Sequence, residues 1–393
     1  MTSLLAWVDY SNAHQEGMDR LLDAFRDKGT VDELGIGTVR DTFSDMLFPG
    51  TSTLHTRARY LLFVPWAITA TTAHRYSLDR AVSELRRTEV RLIHALLATE
   101  PEPDGIIGRE AKDALKRMPS TIYWNAITQF GIKRCDHGIQ QHLRAATATP
   151  ATSADDEDGP TGAVVDPCFR ELPTPPPDWL EHTDFNLTPE ETDFLRERIL
   201  TSHPDSYLAW LLQHRNADDT LDPWDPALTE GLPAAPARVL THAQRLSQLI
   251  TGARILYNLL LARHKNWQDG TDDYLAELEA WTSDATTREA AEQWDTDDFW
   301  ACVIDGGWNP NKRTRDFIEA WVDLMRAGPQ AVHTTTAAEL IEARERRLKG
   351  SRSRFVNDDA LAAWEGSGTG LLRYRWPNVQ VILNDIDAGA QHA

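Results

Sequence analysis

The sequence predicts a mainly α, multi-helical protein in which an acidic Pro-rich linker joins two helical regions and a C-terminal segment packs back on the N-terminal region. Three observations lead to this expectation. Apolar residues recur at helical spacing, strand patterns are nearly absent, and a Pro, Thr, Ala and Asp mixture replaces periodic sequence at residues 149–180. At 393 residues the chain also exceeds the size at which a single core usually stops growing, so more than one domain is expected.

Residues 1–148 form the predicted N-terminal helical domain. Helices are expected at His14–Lys28, before Gly29, and at Val39–Leu47, before Pro49. A third helix is expected to begin in the hydroxyl cluster of Thr51, Ser52 and Thr53 and to continue to Trp66, with Pro65 kinking or interrupting it.

The rest of this domain is also predicted to be helical. Ser77–Leu97 has the apolar stripe of an amphipathic helix. Arg109–Met118 and Ile122–Phe130, separated by a short break at Pro119, have the outline of a helix-turn-helix. The second of these helices carries no basic residue before Lys133, so the outline alone is weak support for reading DNA bases.

The acidic Pro-rich linker at 149–180 leads into an acidic helical domain at 181–330 and a basic C-terminal segment at 331–393. Six helices are predicted in the acidic domain: Pro189–Thr201, Tyr207–His214, Pro236–His264, Asp273–Ser283, Thr287–Trp294 and Thr314–Met325. Asp295, Asp297 and Asp298 are expected to cap a helix before Phe299. The C-terminal segment should contain a charged helix that ends at Gly350.

Net charge is unevenly distributed. The chain carries a formal charge of -20, which argues against a uniformly basic nucleic-acid binder. Residues 1–150 hold 18 acidic and 18 basic side chains and residues 331–393 hold 8 of each, so the whole deficit lies between them. Only seven of the 40 basic residues are lysine. Guanidinium groups suit phosphates and carboxylates, although a GC-rich genome would also favour arginine.

The stretch from Leu34 to Trp66 crowds turn glycines, hydroxyl residues and arginines together. Because backbone amides at a helix start attract anions, Thr51, Ser52 and Thr53 predict a phosphate site with Arg57 and Arg59 beside it and Arg40 closing it. The alternative is structural: the hydroxyls cap a helix, and the arginines pair with Asp41 or Asp45.

A second basic cluster lies near the C-terminus. Five cations fall within nine residues: Arg346, Arg347, Lys349, Arg352 and Arg354. We expect them to form a polyanion-binding surface, because local potential rather than net charge governs such contacts. Further on, Arg373 and Arg375 alternate with Tyr374 and Trp376, a pattern that suits nucleic-acid backbones and exposed bases but also suits a protein core.

Patterns of catalysis and metal binding are mostly missing. The chain contains no phosphate-binding GxxxxGK[ST] loop, no GxSxG and no HExxH. Arg87 and His94 have the spacing of some helical ribonucleases, yet His94 is expected to lie in an apolar stripe. Cys135, His137 and His142 offer soft ligands without a visible fourth partner. We therefore predict three buried free thiols (Cys135, Cys168 and Cys302), no metal, no cofactor and no identifiable catalytic residue.

Several motifs together resemble a known family. WVDYS at Trp7–Ser11, DELGIGTVRDTFSD at Asp32–Asp45, LFPGTSTLHTRARYLLFVPW at Leu47–Trp66 and the C-terminal LKGSRSRF and LLRYRWP are similar to those of an uncharacterised bacterial family. The resemblance spans nearly the whole chain. It implies a link to phage defence, because some members lie beside helicase and phospholipase-D-like nuclease genes, but it implies no reaction.

The functional expectation is a non-catalytic, nucleic-acid-associated subunit of a bacterial anti-phage system, with DNA or RNA and a helicase or nuclease subunit as partners. Its longest apolar run, from Tyr60 to Ala70, is far below the roughly 20 residues that span a bilayer, so we expect a cytoplasmic protein with no membrane partner. Two alternatives stay open. One is an enzyme, either a nuclease or a nucleotide hydrolase, with an active site that residue spacing in the sequence does not reveal. The other is a structural adaptor.

Overall fold

The computed structural model describes residues 32–74, 76–100, 104–148, 166–215 and 221–391. The predicted helix at His14–Lys28, the WVDYS motif and the first part of the predicted linker lie outside these ranges. The described residues contain no β-strand, and an isolated antiparallel bridge joins Lys133 to Phe169. The mainly α, multi-helical prediction is therefore confirmed.

Sixteen α-helices are present in the described ranges. In chain order they are α1 (Gly37–Leu47), α2 (Tyr60–Thr72), α3 (Leu78–Thr99), α4 (Pro119–Gln129), α5 (Ile139–Ala148), α6 (Pro189–Ser202), α7 (Tyr207–His214), α8 (Pro226–Thr229), α9 (Ala234–His264), α10 (Gln268–Ser283), α11 (Ala285–Gln293), α12 (Thr296–Asp305), α13 (Lys312–Arg326), α14 (Thr335–Lys349), α15 (Asp358–Ala362) and α16 (Trp376–Gln391). Short 3-10 turns occur at Lys112–Ala114, Pro329–His333 and Gly350–Arg352. None of these helices is both long and apolar enough to cross a membrane.

The chain divides into two compact units, and each draws on separate parts of the sequence. Unit 1 contains the described residues up to Met46 together with Pro233–Tyr374, and unit 2 contains the described residues between Leu47 and Leu232 together with those from Arg375 onward. Each unit therefore combines described residues from the N-terminal and the C-terminal half of the chain. This agrees with the prediction that the C-terminal segment packs back on the N-terminal region.

Unit 1 is built around the long helix α9, which packs against α10, α11 and α14. Most residues of α9 are buried, so this helix is covered on more than one face. Gly252 sits at the α9–α10 contact, where an added Cβ would lie 2.4 Å from Cη2 of Trp281. A side chain at this position would push the two helices apart.

Unit 2 is built around α2, which packs against α3 and α4. This helix is apolar on all faces and runs through Pro65 without interruption. Its partners include Trp179, whose ring stacks on Phe63 with centroids 6.0 Å apart, while Trp66 Nε1 donates to the carbonyl of Pro173 at 2.8 Å. The described end of the predicted linker is thus packed onto the core of this unit.

Two predicted helices in unit 2 are wrong. No helix begins at Thr51, because α2 starts at Tyr60 and the residues before it form turns. Hydroxyl side chains favour turns as strongly as helix caps, and the sequence does not separate the two. Arg109–Met118 is a series of turns around a 3-10 segment rather than a helix, so the helix-turn-helix outline is absent from the described chain.

Other local expectations fare better. The predicted helix Ser77–Leu97 is found as α3, and the predicted Tyr207–His214 is found unchanged as α7. The expected cap before Phe299 is confirmed, since the Asp295 side chain accepts from the amides of Asp297 and Asp298, each at 3.0 Å.

The cysteine prediction is partly wrong. Cys302 is a buried free thiol, as expected, and burial raises its pKa to about 11. Cys135 and Cys168 are not separate thiols, because a disulfide joins these two residues, which are 33 positions apart in the sequence.

Candidate functional site

The loop from Gly50 to Thr53, predicted to start a helix and bind an anion, closes on itself in unit 2. Thr51 Oγ1 donates to the carbonyl of Phe48 at 2.6 Å, and the Ser52 amide donates to His55 Nδ1 at 3.1 Å. The carbonyl of Thr51 accepts from Arg375 Nη1 at 2.8 Å, and the carbonyl of Thr53 accepts from Asn378 at 3.1 Å. These groups hold the C-terminal helix α16 rather than presenting a row of free amides.

Arg57 binds a carboxylate of α16 in unit 2. Its Nε and Nη2 donate to Asp385 at distances between 2.8 and 3.1 Å, while its guanidinium stacks 4.3 Å from the ring of Phe185. Asp385 also accepts from the amide of Ala58 at 2.7 Å. Burial raises the pKa of Asp385 although Arg57 acts in the opposite direction.

Arg59 is more deeply buried and is also paired. Its side chain is 5% exposed, and it donates to Glu191 Oε1 at 2.9 Å and to Asp184 Oδ1 at 3.2 Å. Glu191 belongs to a capping box with Thr188 at the start of α6. Arg57 and Arg59 therefore have carboxylate partners inside unit 2, as the structural alternative requires, although those partners differ from the aspartates that the sequence suggested.

In unit 1 the C-terminal basic cluster contains inward and outward side chains. Lys349 and Arg354 both bind Glu33, and Arg354 Nη1 lies 2.6 Å from its Oε2. The hydroxyl of Tyr257 completes this group and accepts from Arg354 at 2.6 Å and from Lys349 at 3.2 Å. Burial would raise the pKa of Glu33, but the hydrogen bonds and charges of Arg354 and Lys349 outweigh burial and hold that pKa below its ordinary value.

A second buried glutamate fixes the turn after α14. Glu345 is fully buried and accepts from the amide of Arg354 at 3.0 Å, from Ser353 Oγ and from Lys349 Nζ, the last at 3.2 Å. The neighbouring residue Arg344 donates to the carbonyls of Leu34 at 2.8 Å and Gly35 at 3.0 Å. The turn is thus held to its own unit by several buried bonds.

The outward arginines are Arg346, Arg347 and Arg352, and all three are exposed. Arg346 makes a single ion pair with Glu342, at 3.2 Å on the helix surface. Within the part of the chain that the structure describes, Arg347 and Arg352 have no carboxylate partner. These three cations surround a turn whose shape Glu33 and Glu345 fix from the inside.

Arg40 belongs to an open pocket in unit 1. Arg40, Arg254, Tyr257 and Ser367 line its wall together with Asp32. Burial, together with the charge of Arg40, lowers the pKa of Arg254. Two guanidinium groups suit an anion, but the Asp32 carboxylate already accepts from the first amides of α1 at Ile36 and Gly37, each at 2.7 Å. The helix start is therefore occupied. Both arginines also have partners, because Arg40 pairs with Asp41 at 2.9 Å and Arg254 Nη1 donates to the carbonyl of Gly370 at 2.6 Å.

The alternating pattern near residue 374 belongs largely to the core. Tyr374 is buried in unit 1, where its hydroxyl donates to the carbonyl of Ala243 at 2.6 Å, and Trp376 is buried in unit 2, where its Nε1 donates to Leu221 at 2.9 Å. Neither ring is free to stack on a base. Arg373 is exposed.

Comparison with known proteins places the chain in a family. A family model described as a family of unknown function matches residues 2–389, which is nearly the whole chain. The chain belongs to DUF6361. No similar protein was found among curated proteins or among solved structures. An uncharacterised family was expected from the sequence motifs, and this part of the resemblance is confirmed.

In this DUF6361 chain the ribonuclease-like spacing does not form a joint site. Arg87 pairs with Glu84 at 2.6 Å and His94 pairs with Asp113 at 2.8 Å, and all four lie at the surface of unit 2 or close to it. The expectation that His94 lies in the apolar stripe is wrong, because its side chain is 52% exposed and the stripe runs through Leu92, Ile93 and Leu96 instead.

Sequence reasoning missed two groups with functional potential. Arg254 lies in the predicted helix Pro236–His264, but no local motif distinguishes it from the other arginines of the chain. Cys168 was not connected with Cys135 and His142, although the ligand atoms of the three lie within 4.8 Å of one another. A search for Cys and His on predicted neighbouring segments, rather than at short spacings, would have connected them.

Proposed function

We propose that the chain is a non-catalytic, nucleic-acid-associated subunit of a bacterial anti-phage system, and that the outward arginines contact phosphates. The observation that carries this proposal is the division of the basic cluster: Lys349 and Arg354 bind buried Glu33, whereas Arg346, Arg347 and Arg352 point outward. Two types of cation in one short segment thus have two different tasks.

Pre-ordering supports binding by the outward arginines. A long flexible side chain loses conformational freedom when it binds, and a mobile loop loses more. Here Glu33 and Glu345 already fix the turn, so a phosphate contact by Arg352 requires little further ordering of the backbone. The turn passes through Gly350, whose φ of +55° lies in the left-handed region.

Local charge favours the same surface. A polyanion responds to the potential near its contact, and salt dependence follows from the number of phosphates neutralised. The acidic middle of the sequence would repel nucleic acid, so it is better suited to protein partners such as a helicase or a nuclease subunit. A cytoplasmic location fits these partners.

The test compares two triple variants. R346A/R347A/R352A removes the outward arginines, and R263A/R288A/K312A removes three other exposed cations of unit 1 with the same change in net charge. Fluorescence anisotropy with a short duplex and a single strand of DNA or RNA measures affinity from low to moderate salt. For duplex DNA, we expect the slope of log affinity against log salt to fall by about 2 to 3 in the first variant, at roughly 0.9 per phosphate contact.

The control variant should keep the wild-type slope and affinity. Equal weakening of both variants would show that the chain binds through its overall charge rather than this turn. Wild-type binding by the first variant, or no binding by the unaltered chain at low salt, would overturn the proposal.

A structural adaptor is the second candidate function. The observation that favours it is the carboxylate pairing of Arg57 with Asp385 and of Arg59 with Glu191, which is the kind of contact that stabilises a fold. An adaptor predicts no nucleic-acid affinity in either triple variant or in the unaltered chain. It also predicts capture of the same protein partners when nucleic acid has been digested.

A further inference from the structure

Three potential soft-metal ligands converge in unit 2. The antiparallel bridge between Lys133 and Phe169 aligns two segments, with the Arg134 amide donating to the carbonyl of Cys168 at 2.7 Å. This pairing places the Cα atoms of Cys135 and Cys168 5.2 Å apart. Helix α5 follows directly and brings His142 Nδ1 to 3.8 Å from the sulfur of Cys135.

A buried carboxylate holds His142 in place. Its Nε2 lies 2.8 Å from Asp166 Oδ2, and both residues are buried. Asp166 is itself fixed, because it accepts from the Cys168 amide at 2.9 Å and from Thr72 Oγ1 at 2.9 Å. A carboxylate on Nε2 favours the tautomer with its proton there, which leaves the lone pair of Nδ1 directed at the sulfur atoms.

The distance between His142 Nδ1 and the Cys135 sulfur suits one tetrahedral ion. With bonds of about 2.3 Å to sulfur and about 2.0–2.1 Å to nitrogen, a tetrahedral site separates its sulfur and nitrogen ligands by about 3.6 Å and its two sulfurs by about 3.8 Å. The separation of His142 Nδ1 from the Cys135 sulfur is 3.8 Å, and all three ligand atoms lie within 4.8 Å of one another. The two sulfur atoms are in disulfide contact in this structure, so they must move apart to admit an ion between them.

We propose that Cys135, His142 and Cys168 bind one zinc ion when both thiols are reduced, with Asp166 positioning the histidine. Two thiolates and one imidazole are a ligand set that zinc prefers over magnesium or calcium. The disulfide contact and the zinc ion are alternative states of the same two sulfur atoms, since a disulfide has no thiolate to donate. Three protein ligands leave a fourth position for water or another small ligand.

The environment of the site is consistent with a retained ion. The rings of Trp124 and Phe169 flank His142, with centroids 6.2 and 5.7 Å from its own. A zinc ion would also tie α5 to the segment at 166–169, so its affinity would contribute to the stability of unit 2.

The experiment measures the zinc content of protein purified in the presence of a disulfide-reducing agent that does not bind metals. Inductively coupled plasma mass spectrometry should give about one zinc per chain for the unaltered protein and for C302A, the matched control that removes the remaining cysteine. C135S, C168S and H142A should each retain less than about a tenth of that amount, with far-UV circular dichroism checking that each variant is folded.

Two further measurements keep the test independent of unstable variants. Metal-free wild-type protein titrated with Co²⁺ should show the thiolate charge-transfer and tetrahedral absorption bands of a sulfur-ligated ion. D166N should keep the stoichiometry and lower the zinc affinity by about 10–100-fold. The proposal is overturned if reduced wild-type protein binds neither Zn²⁺ nor Co²⁺ at one per chain, or if C135S and C302A bind equally.

Discussion

Replacing Arg57 with alanine tests whether this arginine serves the fold or a ligand. Its guanidinium binds both oxygens of Asp385, whose side chain is 7% exposed. Alanine removes this partner and leaves the carboxylate with the amide of Ala58 as its remaining donor among the described residues. Breaking a buried ion pair from one side in this way costs about 3–5 kcal/mol, because the other charge stays buried and uncompensated.

The loss should depend on pH. Burial raises the pKa of Asp385 above its ordinary value of 3.8, and removal of the cation raises that pKa further. Between the unfolded and the folded pKa the native state binds more protons, so the free energy of unfolding falls as the pH rises. The deficit of R57A should therefore be largest near neutral pH and should shrink as acidification protonates Asp385.

Urea unfolding followed by circular dichroism at pH 7 and at mildly acidic pH measures this deficit. R57A/D385N removes the stranded charge and should recover more than half of the lost free energy. R87A is the control, since the Arg87 side chain is 67% exposed and its loss should cost less than about 0.5 kcal/mol.

Three results would refute this reasoning. The first is an R57A chain within about 1 kcal/mol of the wild type at pH 7, and the second is a double variant no more stable than R57A. The third is a folded R57A chain that has lost nucleic-acid affinity, since this would assign Arg57 to the ligand after all.

Three other predictions concern single side chains. Burial raises the pKa of Glu89 to about 7, so the free energy of unfolding of the wild type should fall as the pH rises from 4.5 to 7. E89Q should show a smaller fall and should be more stable than the wild type above pH 7, as measured by unfolding at several pH values. In urea unfolding, G50A should lose about 2 kcal/mol of the free energy of unfolding, since φ at Gly50 is +76° and the new Cβ would lie 2.7 Å from Phe130. G307A is the control and should lose about 1 kcal/mol, since φ at Gly307 is +84° but no atom lies near the new Cβ. E33Q leaves Arg354 without its carboxylate partner and Lys349 with Glu345 alone, so it should be destabilised at pH 7. Because the pKa of Glu33 lies below 4.5, the difference in melting temperature from wild type should vanish only as the pH falls below that value, and an equal gap at all pH values would contradict the pairing.

The helical fold class could be predicted from the sequence because the spacing of apolar residues along a helix is a local property. Leu78–Thr99 repeats its apolar residues along one face, and the predicted and observed helices differ by no more than two residues at either end. The same reasoning failed at Thr51, where short hydroxyl side chains suit a turn and a helix start equally well. Local pattern thus located long periodic helices and misjudged the segments whose shape depends on distant partners.

The sequence by itself determined that the chain is helical, that its excess of acidic residues lies between residues 150 and 331, and that it belongs to a family of unknown function. Only the tertiary structure decided which arginines are available. Asp385 lies 328 residues from Arg57, and Glu33 lies 316 residues from Lys349, so neither partner is visible in a local window. Charges pair through space rather than along the chain, and for the same reason Cys168 joined Cys135 and His142 only once the fold had brought them together.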